Sequence, residues 1–302
     1  MISTTTFEGI DSLRISNGGA ELVVSTGCGP RILSYRRTSG ENILGLWLDV
    51  AQPNDLGTWK PYGGHRLWAA PESMPSTYYP DNDPIESETI DDNSVRLRAP
   101  SERVTNLQKE MRITLENNGN VAIQHLIANC GAEAVELAPW SLTILRTGGT
   151  VILPQEPYRS HDDYLLPARP MVLWHFTNLA DPRFKIGQSL IEMACDPKFE
   201  GPQKIGVLNK QGWTAYFSER SLFVKEFDYR AGAHYPDYDC NSEAYTAGAF
   251  LELESLGPME LLQPGELASH RETWHLFENI SLPKKEDERV QSMATLLEGV
   301  RK

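Results

Sequence analysis

The clearest structural signal in the sequence is the stretch Lys109-Glu110-Met111-Arg112-Ile113-Thr114-Leu115-Glu116, in which apolar residues alternate with charged or hydroxylated ones. The turn-forming run Asn117-Asn118-Gly119-Asn120 follows, and the alternation resumes over Val121–Ile127. Side chains of a β-strand point alternately to its two faces, and Asn and Gly tolerate the left-handed backbone of tight turns. The stretch therefore predicts an antiparallel β-hairpin with one buried face.

Similar short runs are spread along the chain. Gly, Pro and Asn separate them, and the 20 prolines favour many turns over long helices. We therefore expect an all-β protein with further strands at Asp11–Ile15, Glu21–Val24, Arg31–Arg36, Ser94–Arg98, Val135–Leu145, Met171–His175, Trp213–Phe217, Ser221–Phe227, Ala249–Ser255 and His270–Phe277.

One helix is expected, at the C-terminal end. Val290, Met293, Leu297 and Val300 recur at three- and four-residue steps in a charged segment, which is the spacing of one helix face. The pattern predicts a short helix over about residues 284–302 that lies against a sheet. No internal repeat or linker interrupts the chain, and a sandwich of many strands can exceed about 200 residues. Residues 1–302 are therefore expected to form a single domain.

The charge balance excludes two kinds of partner. The 302 residues include 28 Lys and Arg against 41 Asp and Glu, a formal net charge of −13. Nucleic acid and anionic membrane surfaces are both bound through clustered basic residues. No run approaches the roughly 18 apolar residues of a membrane-spanning helix. We expect neither nucleic acid nor a membrane as partner, and the sequence leaves the oligomeric state open.

The N-terminus and the cysteines indicate a cytoplasmic protein. Met1–Glu8 lacks a basic region followed by an apolar run, so no secretory signal is expected. Cys28, Cys130, Cys195 and Cys240 are widely scattered, which argues against a zinc module and a dense disulfide framework. We interpret them as reduced thiols. A secreted protein that has lost its signal peptide would show the same features.

Nucleotide and metal motifs are not found. The run Gly27-Cys28-Gly29-Pro30-Arg31-Ile32 starts like a dinucleotide fingerprint but lacks its third glycine and the helix pattern. His270 and His275 are five residues apart, so in a strand they face opposite ways and cannot share an ion. His270, Glu272 and Trp274 would share one face. We expect no metal and no cofactor.

The first candidate site is the segment Trp59–Glu72, which contains Gly63-Gly64-His65-Arg66-Leu67-Trp68. Its aromatic residues, imidazole, guanidinium and carboxylate suit a sugar pocket, where aromatic faces cover C–H patches and charged groups bind hydroxyls. The alternative is that the apolar residues of this segment are core and that His65 and Arg66 are solvated.

The second candidate site is the segment Lys225–Glu243, rich in ionisable groups, together with the strand that follows it. Strand alternation puts Glu252 and Glu254 on one face and Leu251 and Leu253 on the other. If the polar face borders a cleft, two carboxylates and an imidazole can converge there for acid–base chemistry. The alternative is a solvated glutamate stripe on an outer sheet face.

Four segments resemble the galactose-mutarotase-like superfamily, which contains aldose 1-epimerases, hexose-6-phosphate mutarotases and an uncharacterised bacterial branch near them. Each motif alone is weak, but they occur in the family's order through nearly the whole chain. The resemblance implies a β-supersandwich, in which large antiparallel sheets pack face to face and a concave face binds carbohydrate. The matching segments are Gly29–Arg36, Asn42–Trp47, Gly63–Glu72, and Leu251–Ser255 with the following Leu262-Gln263-Pro264-Gly265-Glu266.

The resemblance also implies a mechanism. In this family a glutamate removes the proton of the anomeric hydroxyl, a histidine protonates the ring oxygen, and the opened sugar recloses as the other anomer. The glutamate carries over to Glu254 by its place in the late strand. No histidine stands in Leu137–Ile144, where the family has one, so His65 or His234 would have to supply the proton.

The first hypothesis is therefore a carbohydrate-directed enzyme of the aldose 1-epimerase type, acting on a small-molecule sugar. Two further hypotheses remain open: a non-catalytic carbohydrate-binding or sensing protein, and a polysaccharide lyase or hydrolase on the same fold. The substrate-binding residues expected from the two candidate sites and the resemblance are Arg66, Trp68, Glu72, Trp140, Lys225, Asp237 and Glu252.

Overall fold

The alternating pattern forms twenty-five strands in a computed structural model that describes residues 1–301. The first thirteen are β1 (Ile2–Phe7), β2 (Ile10–Ser16), β3 (Ala20–Ser25), β4 (Arg31–Arg37), β5 (Leu46–Trp47), β6 (Gln52–Asn54), β7 (Gly57–Trp59), β8 (Tyr62–Gly63), β9 (His65–Ala70), β10 (Glu86–Thr89), β11 (Ser94–Arg98), β12 (Leu107–Leu115) and β13 (Val121–Asn129). The others are β14 (Val135–Leu145), β15 (Thr150–Pro154), β16 (Met171–Leu173), β17 (Phe184–Ile186), β18 (Leu190–Ala194), β19 (Gln203–Val207), β20 (Trp213–Ser218), β21 (Ser221–Phe227), β22 (Ser242–Thr246), β23 (Leu251–Leu256), β24 (Glu260–Leu262) and β25 (Leu267–Phe277).

Two large antiparallel sheets contain most of these strands. The 11-stranded sheet has the order β1-β2-β3-β4-β9-β14-β23-β22-β19-β16, with β24 paired to β14 beside this path. The 10-stranded sheet has the order β10-β11-β12-β13-β25-β21-β20-β15-β18-β17. Strands β5 and β8, and β6 and β7, form two small ribbons. Both large sheets contribute to the same hydrophobic cluster, so they pack face to face as expected.

The hairpin of β12 and β13 shows why the pattern specifies this arrangement. Met111 lies opposite His125 and Ile113 lies opposite Ile123. All four side chains are buried, whereas Arg112 between them is exposed. A shift of one residue in register would turn every one of these side chains to the other face, so burial of one face fixes the pairing.

The strand predictions are confirmed, with small corrections at their ends. Ser94–Arg98, Val135–Leu145 and Ser221–Phe227 coincide with β11, β14 and β21. The strand expected at Met171–His175 ends at Leu173 instead. There the Trp174 N–H donates to Thr177 Oγ1, and the Thr177 N–H donates back to the Trp174 carbonyl, so the chain turns.

The predicted C-terminal helix is present over Glu286–Val300, and Lys302 lies outside the described residues. Met293 and Leu297 are its buried residues that pack on the 10-stranded sheet, against Trp213 and Leu222. The remaining helical segments are single turns at Ser76–Tyr78 and Pro236–Asp239. Within residues 1–301 no helix has the length and apolar character needed to cross a membrane.

A polar network lies between the two sheets, where apolar packing would be expected. Lys225 of β21 and Glu272 of β25 are completely buried and form an ion pair at 2.8 Å. Glu272 also accepts hydrogen bonds from Trp274, Ser255 and Ser141. Trp274 belongs to the same sheet as Glu272, and both serines belong to the opposite sheet. One carboxylate therefore joins strands of both sheets.

Three histidines continue this network. His65 Nε2 and His125 Nε2 lie 2.7 Å apart, and His125 Nδ1 lies 3.2 Å from the His270 carbonyl oxygen. A carbonyl only accepts, so His125 donates through Nδ1 and accepts through Nε2 from His65. His270 Nε2 lies 2.7 Å from Ser255 Oγ. Burial lowers the pKa of all three rings, to about 3 for His270, so they are neutral at pH 7.

Substitution of either member of the Lys225–Glu272 ion pair is predicted to destabilise the protein, and the effects of the two substitutions on the free energy of unfolding should not be additive. Lys225→Met leaves the Glu272 charge buried without its partner, and Glu272→Gln does the same to Lys225. Each single substitution should lower the free energy of unfolding by about 3–5 kcal/mol. The double variant should lose about 2 kcal/mol less than the sum of the two. Urea unfolding of the four proteins measures this coupling.

The matched control is the exposed pair Arg98–Glu86, whose side chains are 33% and 56% exposed. The same cycle with Arg98→Met and Glu86→Gln should give a coupling below about 1 kcal/mol. Strictly additive losses at Lys225 and Glu272 would contradict the interpretation of this pair as the electrostatic centre of the sandwich.

Acid is predicted to destabilise the fold from about pH 6.5 downward. The three buried histidines have lowered pKa values in the folded state, whereas in the unfolded chain they titrate near 6.5. Their contribution to stability is therefore complete above that pH and is lost as pH falls toward the folded values. The free energy of unfolding should decrease by up to about 4 kcal/mol per pH unit, the limit for three protons bound only by the unfolded chain. Urea unfolding at pH 7.5, 6 and 5 measures it.

His161 provides the control for this experiment, since its side chain is 88% exposed. His161→Gln should leave the pH profile unchanged, whereas His270→Gln should make it less steep. A free energy of unfolding that stays constant between pH 7.5 and 5 would refute the prediction.

Candidate functional site

A cleft of about 380 Å³ lies on the outer face of the 11-stranded sheet, opposite the face that covers the core. Its floor is built by alternate residues of three neighbouring strands. These are Arg66 and Trp68 of β9, Trp140 and Leu142 of β14, and Glu252 and Glu254 of β23. Strand alternation turns the residues between them into the sandwich, so one backbone layer separates the cleft from the buried network.

Aromatic rings form the walls of the cleft. Five of the seven tryptophans of the chain line it, together with two tyrosines and two phenylalanines. Trp68 is central to one wall, with ring centroids 6.0 Å from Trp59, 5.1 Å from Tyr78 and 5.3 Å from Trp140. The full set is Trp47, Trp59, Trp68, Tyr78, Trp140, Trp174, Phe176, Tyr245 and Phe250.

Glu254 lies on the floor of the cleft. It is completely buried, and its Oε2 accepts hydrogen bonds from Trp140 Nε1 at 2.7 Å and from Lys204 Nζ at 3.2 Å. Its other oxygen, Oε1, is buried without any hydrogen-bond partner. A buried carboxylate oxygen without a partner costs free energy, so it marks a position where a ligand hydroxyl or water can donate a hydrogen bond.

Lys204 of β19 provides the positive charge beside Glu254. Its Nζ lies 2.6 Å from Glu243 Oε2 and is flanked by the rings of Trp140 and Trp174, with centroids at 4.8 and 4.6 Å. Burial alone would lower the pKa of this ammonium group. The charges of Glu243 and Glu254 outweigh burial and raise the pKa well above its ordinary value, so Lys204 is protonated at neutral pH.

Arg66 and Glu252 form a second buried ion pair, with Nη2 and Oε1 2.9 Å apart. The guanidinium lies over the rings of Trp68, at 4.3 Å, and Trp59, at 5.6 Å. Its Nε and Nη1 have no hydrogen-bond partner. Burial raises the pKa of Glu252, and Arg66 offsets part of this shift. The pair therefore leaves two buried donor groups of Arg66 without a hydrogen-bond partner beside the cleft.

Six of the residues expected at the site line this cleft: Arg66, Trp68, Glu72, Trp140, Glu252 and Glu254. The glutamates of β23 are 8% and 0% exposed, so they are not a solvated stripe. Glu72 lies at the exposed rim, where its carboxylate accepts a hydrogen bond from the Tyr78 hydroxyl at 2.5 Å.

His65 and Lys225, also expected at the site, do not reach the cleft. His65 precedes Arg66 in β9, so its ring points to the opposite face and into the polar network. Lys225 belongs to the other sheet and is bound to Glu272 and Thr143 inside the sandwich. Both are therefore corrected from ligand-contacting residues to groups that hold the sheets together.

His234 and Asp237 lie outside the cleft as well. The side chain of His234 is 87% exposed, and its nearest charged partner is Asp239 at 3.5 Å. Asp237 lies in a turn where Asp237, Tyr238 and Asp239 all have positive φ, and its carboxylate is directed toward Cys240 and Glu243. None of the histidines in the described chain lines the cleft.

Sequence reasoning missed Lys204, which is the most important addition to the site. It was not assigned because Gln203-Lys204-Ile205-Gly206-Val207 is too short to show a period. A single lysine inside a buried five-residue strand was the available signal. Trp174 was missed for a different reason. It follows β16 in a turn, and no sequence pattern predicted which way the turn would direct it.

Within residues 1–301, two groups of side chains have ligand atoms close enough together to hold a metal ion: His65, His125 and Glu272, and Asp237, Cys240 and Glu243. In the first, hydrogen bonds and Lys225 already satisfy the ring nitrogens and the carboxylate. In the second, Glu243 pairs with Lys204, and burial raises the pKa of Cys240, which keeps it a thiol. Neither donor set favours a metal over the contacts that it already makes.

The fold is that of galactose-mutarotase-like proteins. It is shared with a candidate aldose 1-epimerase from Escherichia coli K12, at 13% identity over 92% of this chain and 100% of that chain, with a TM-score of 0.60. Galactose mutarotase-like proteins from Lactobacillus casei and Clostridium acetobutylicum match at 10% and 11% identity, with TM-scores of 0.58 and 0.54. They cover 88% and 92% of this chain, and 100% and 98% of their own. No protein-family model and no curated protein matches the sequence.

Proposed function

We propose that the protein binds a carbohydrate in the tryptophan-lined cleft and interconverts its anomers by acid–base catalysis. The observation that supports this most directly is the unpartnered buried oxygen of Glu254, which lies in an aromatic cleft beside the ammonium group of Lys204. The mutarotase-like fold is consistent with the proposal, although a fold by itself does not specify an activity.

The cleft has the features that a neutral sugar requires. Tryptophan and tyrosine rings present flat apolar faces to the C–H groups of a pyranose, and isolated polar groups between them fix its orientation. Arg66 Nε and Nη1 and the indole N–H of Trp59 are buried donors without partners. Glu254 Oε1 is a buried acceptor without a partner. Sugar hydroxyls can both donate and accept, so they can satisfy all of these groups.

The same geometry supports ring opening. The anomeric hydroxyl and the ring oxygen are bonded to one carbon, so the two catalytic groups must be close together. Glu254 would take the proton of the hydroxyl while Lys204 donates a proton to the ring oxygen. The bond between that carbon and the ring oxygen breaks and leaves an open-chain aldehyde. Rotation and reclosure on the other face return both protons, so neither residue is changed overall.

Lys204 replaces the histidine that the resemblance to mutarotases implied. His65 and His234, the earlier candidates, do not face the cleft. Lys204 lies 3.2 Å from Glu254 and is charged, so it can donate a proton. Its raised pKa makes it a weaker acid than a histidine, since proton donors work best when their pKa is near the working pH.

A second candidate function is sugar binding without catalysis. Two observations favour it. No histidine of residues 1–301 lines the cleft, and the ion pairs with two carboxylates stabilise the protonated form of Lys204. Binding requires the aromatic walls and the unpartnered groups but no proton transfer. The two functions therefore predict the same affinity for sugars and different rates of anomer exchange.

Substitution of either reactive group is predicted to abolish the activity. Wild-type protein should accelerate exchange between α and β anomers, measured by exchange NMR over a panel of aldoses, uronates and phosphosugars. Glu254→Gln and Lys204→Met should each reduce this acceleration by about 10²- to 10⁴-fold, the usual contribution of one acid or base. The quenching of tryptophan fluorescence measures binding separately.

Glu298→Gln and Lys198→Met are the matched controls, because both side chains are exposed and lie outside the cleft. They should exchange anomers at the wild-type rate. If wild-type protein binds sugars but accelerates no exchange, the second candidate function is correct. If it binds none of the panel, both are refuted.

A further inference from the structure

A second groove, of about 500 Å³, adjoins the cleft. Trp47 and Phe250 line both cavities, and their rings pack against each other with centroids 3.9 Å apart. The aromatic pair therefore forms the boundary between the two cavities. The second groove is also lined by Glu41, Ile144, Arg146 and Thr147.

The second groove continues the cleft along the same strands. On β14, Trp140 and Leu142 line the cleft and Ile144, the next residue on that face, lines the second groove. Beside it, Glu254 and Glu252 line the cleft, and Phe250, two residues further, lines both. Same-face residues of a strand are about 7 Å apart. A ligand lying along β14 and β23 would cross the Trp47–Phe250 pair on its way from one cavity into the other.

A row of aromatic rings follows this path. Phe176, Tyr245, Phe250 and Trp47 are successive neighbours, with centroid separations of 6.4, 5.6 and 3.9 Å. The row begins in the cleft and ends at the second groove. Interplanar angles of 90°, 49° and 44° tilt the rings against one another, so together they form a continuous aromatic surface that can contact the C–H groups of a ligand.

Polar groups also line the second groove. Arg146 forms an ion pair with Glu41, and its Nε is buried without a hydrogen-bond partner. The neighbouring Thr147 is exposed. The second groove, the larger of the two cavities, thus repeats the composition of the cleft, with aromatic faces beside a guanidinium group that retains a donor without a partner.

From this continuity we infer that the ligand is an oligosaccharide of at least two linked rings. This inference rests on the proposed function. The reducing-end ring lies in the cleft beside Glu254 and Lys204, and the next ring lies over Phe250 and Trp47 and reaches Arg146. A single sugar would leave the larger of the two cavities empty. The acids of the cleft, Glu72, Glu252 and Glu254, disfavour an anionic ligand because Arg66 and Lys204 are already paired.

The experiment compares the affinities of monosaccharides and matching disaccharides. Tryptophan fluorescence and calorimetry give the dissociation constants of glucose with cellobiose and maltose, galactose with galactobiose, and mannose with mannobiose. In at least one set, a disaccharide should bind wild-type protein about tenfold more tightly than its monosaccharide, as expected for one additional stacked ring. Thr147→Trp, which fills the second groove, and Arg146→Ala, which removes its donor, should bring that ratio toward one.

Arg220→Ala is the control, since Arg220 is exposed and lies in the turn between β20 and β21 of the other sheet. This variant should keep the wild-type ratio of monosaccharide to disaccharide dissociation constants. Melting temperatures verify that each variant is folded. Equal affinities of monosaccharides and disaccharides for wild-type protein would overturn the inference and leave the proposed function standing. An unchanged tenfold ratio in folded Thr147→Trp and Arg146→Ala would also overturn it. Absence of binding to every sugar would refute the proposed function, and the inference with it.

Discussion

The ion pair between Lys225 and Glu272 is the interaction on which the arrangement of the two sheets depends. Both side chains are completely buried, and two charges removed from water are stable only when they are paired and fully hydrogen-bonded. Lys225 also donates hydrogen bonds to Thr143 Oγ1 and to the Leu253 carbonyl oxygen. Glu272 also accepts hydrogen bonds from the hydroxyls of Ser141 and Ser255. These four acceptors and donors belong to β14 and β23. The pair can therefore be satisfied only if these strands keep their register against the opposite sheet.

This register determines the cleft on the other side of the same strands. Ser141 and Thr143 point inward, so Trp140 and Leu142 point outward, and Ser255 fixes Glu254 in the same way. A shift of β14 or β23 by one residue would expose hydroxyls to the cleft and bury Glu254 in the sandwich. Glu254 is thus positioned by contacts inside the sandwich, on the opposite side of the sheet from the cleft. The network and the cleft also interact electrostatically. Burial lowers the pKa of Lys225, and the negative charge of Glu254 raises it.

The alternation of side chains along a strand predicts which residues share a face. It does not predict which of the two faces packs against the other sheet. For β23 the sequence shows which face is buried in the sandwich, because Leu251 and Leu253 are apolar and the two glutamates lie on the opposite face. For β9 both His65 and Arg66 are polar, so the sequence could not show that the imidazole is inside and the guanidinium in the cleft. Lys225 has apolar and acidic neighbours in β21, and only the packing of a second sheet reveals its buried partner. The fold follows from local patterns, whereas the assignment of these residues depends on long-range pairing.

The charges of the cleft support the proposal that the ligand is neutral and extended. Each cation there already has a carboxylate partner, so an additional negative charge would have to break a buried ion pair. What remains unsatisfied are single hydrogen-bonding groups separated by ring faces: Arg66 Nε and Nη1, Trp59 Nε1 and Glu254 Oε1. Hydroxyls can satisfy such groups without disturbing the ion pairs, and the intervening ring faces favour C–H surfaces. Beyond Trp47 and Phe250, the second groove adds the unpartnered donor of Arg146, the residue that directly follows β14, so the pattern extends past the length of one sugar ring.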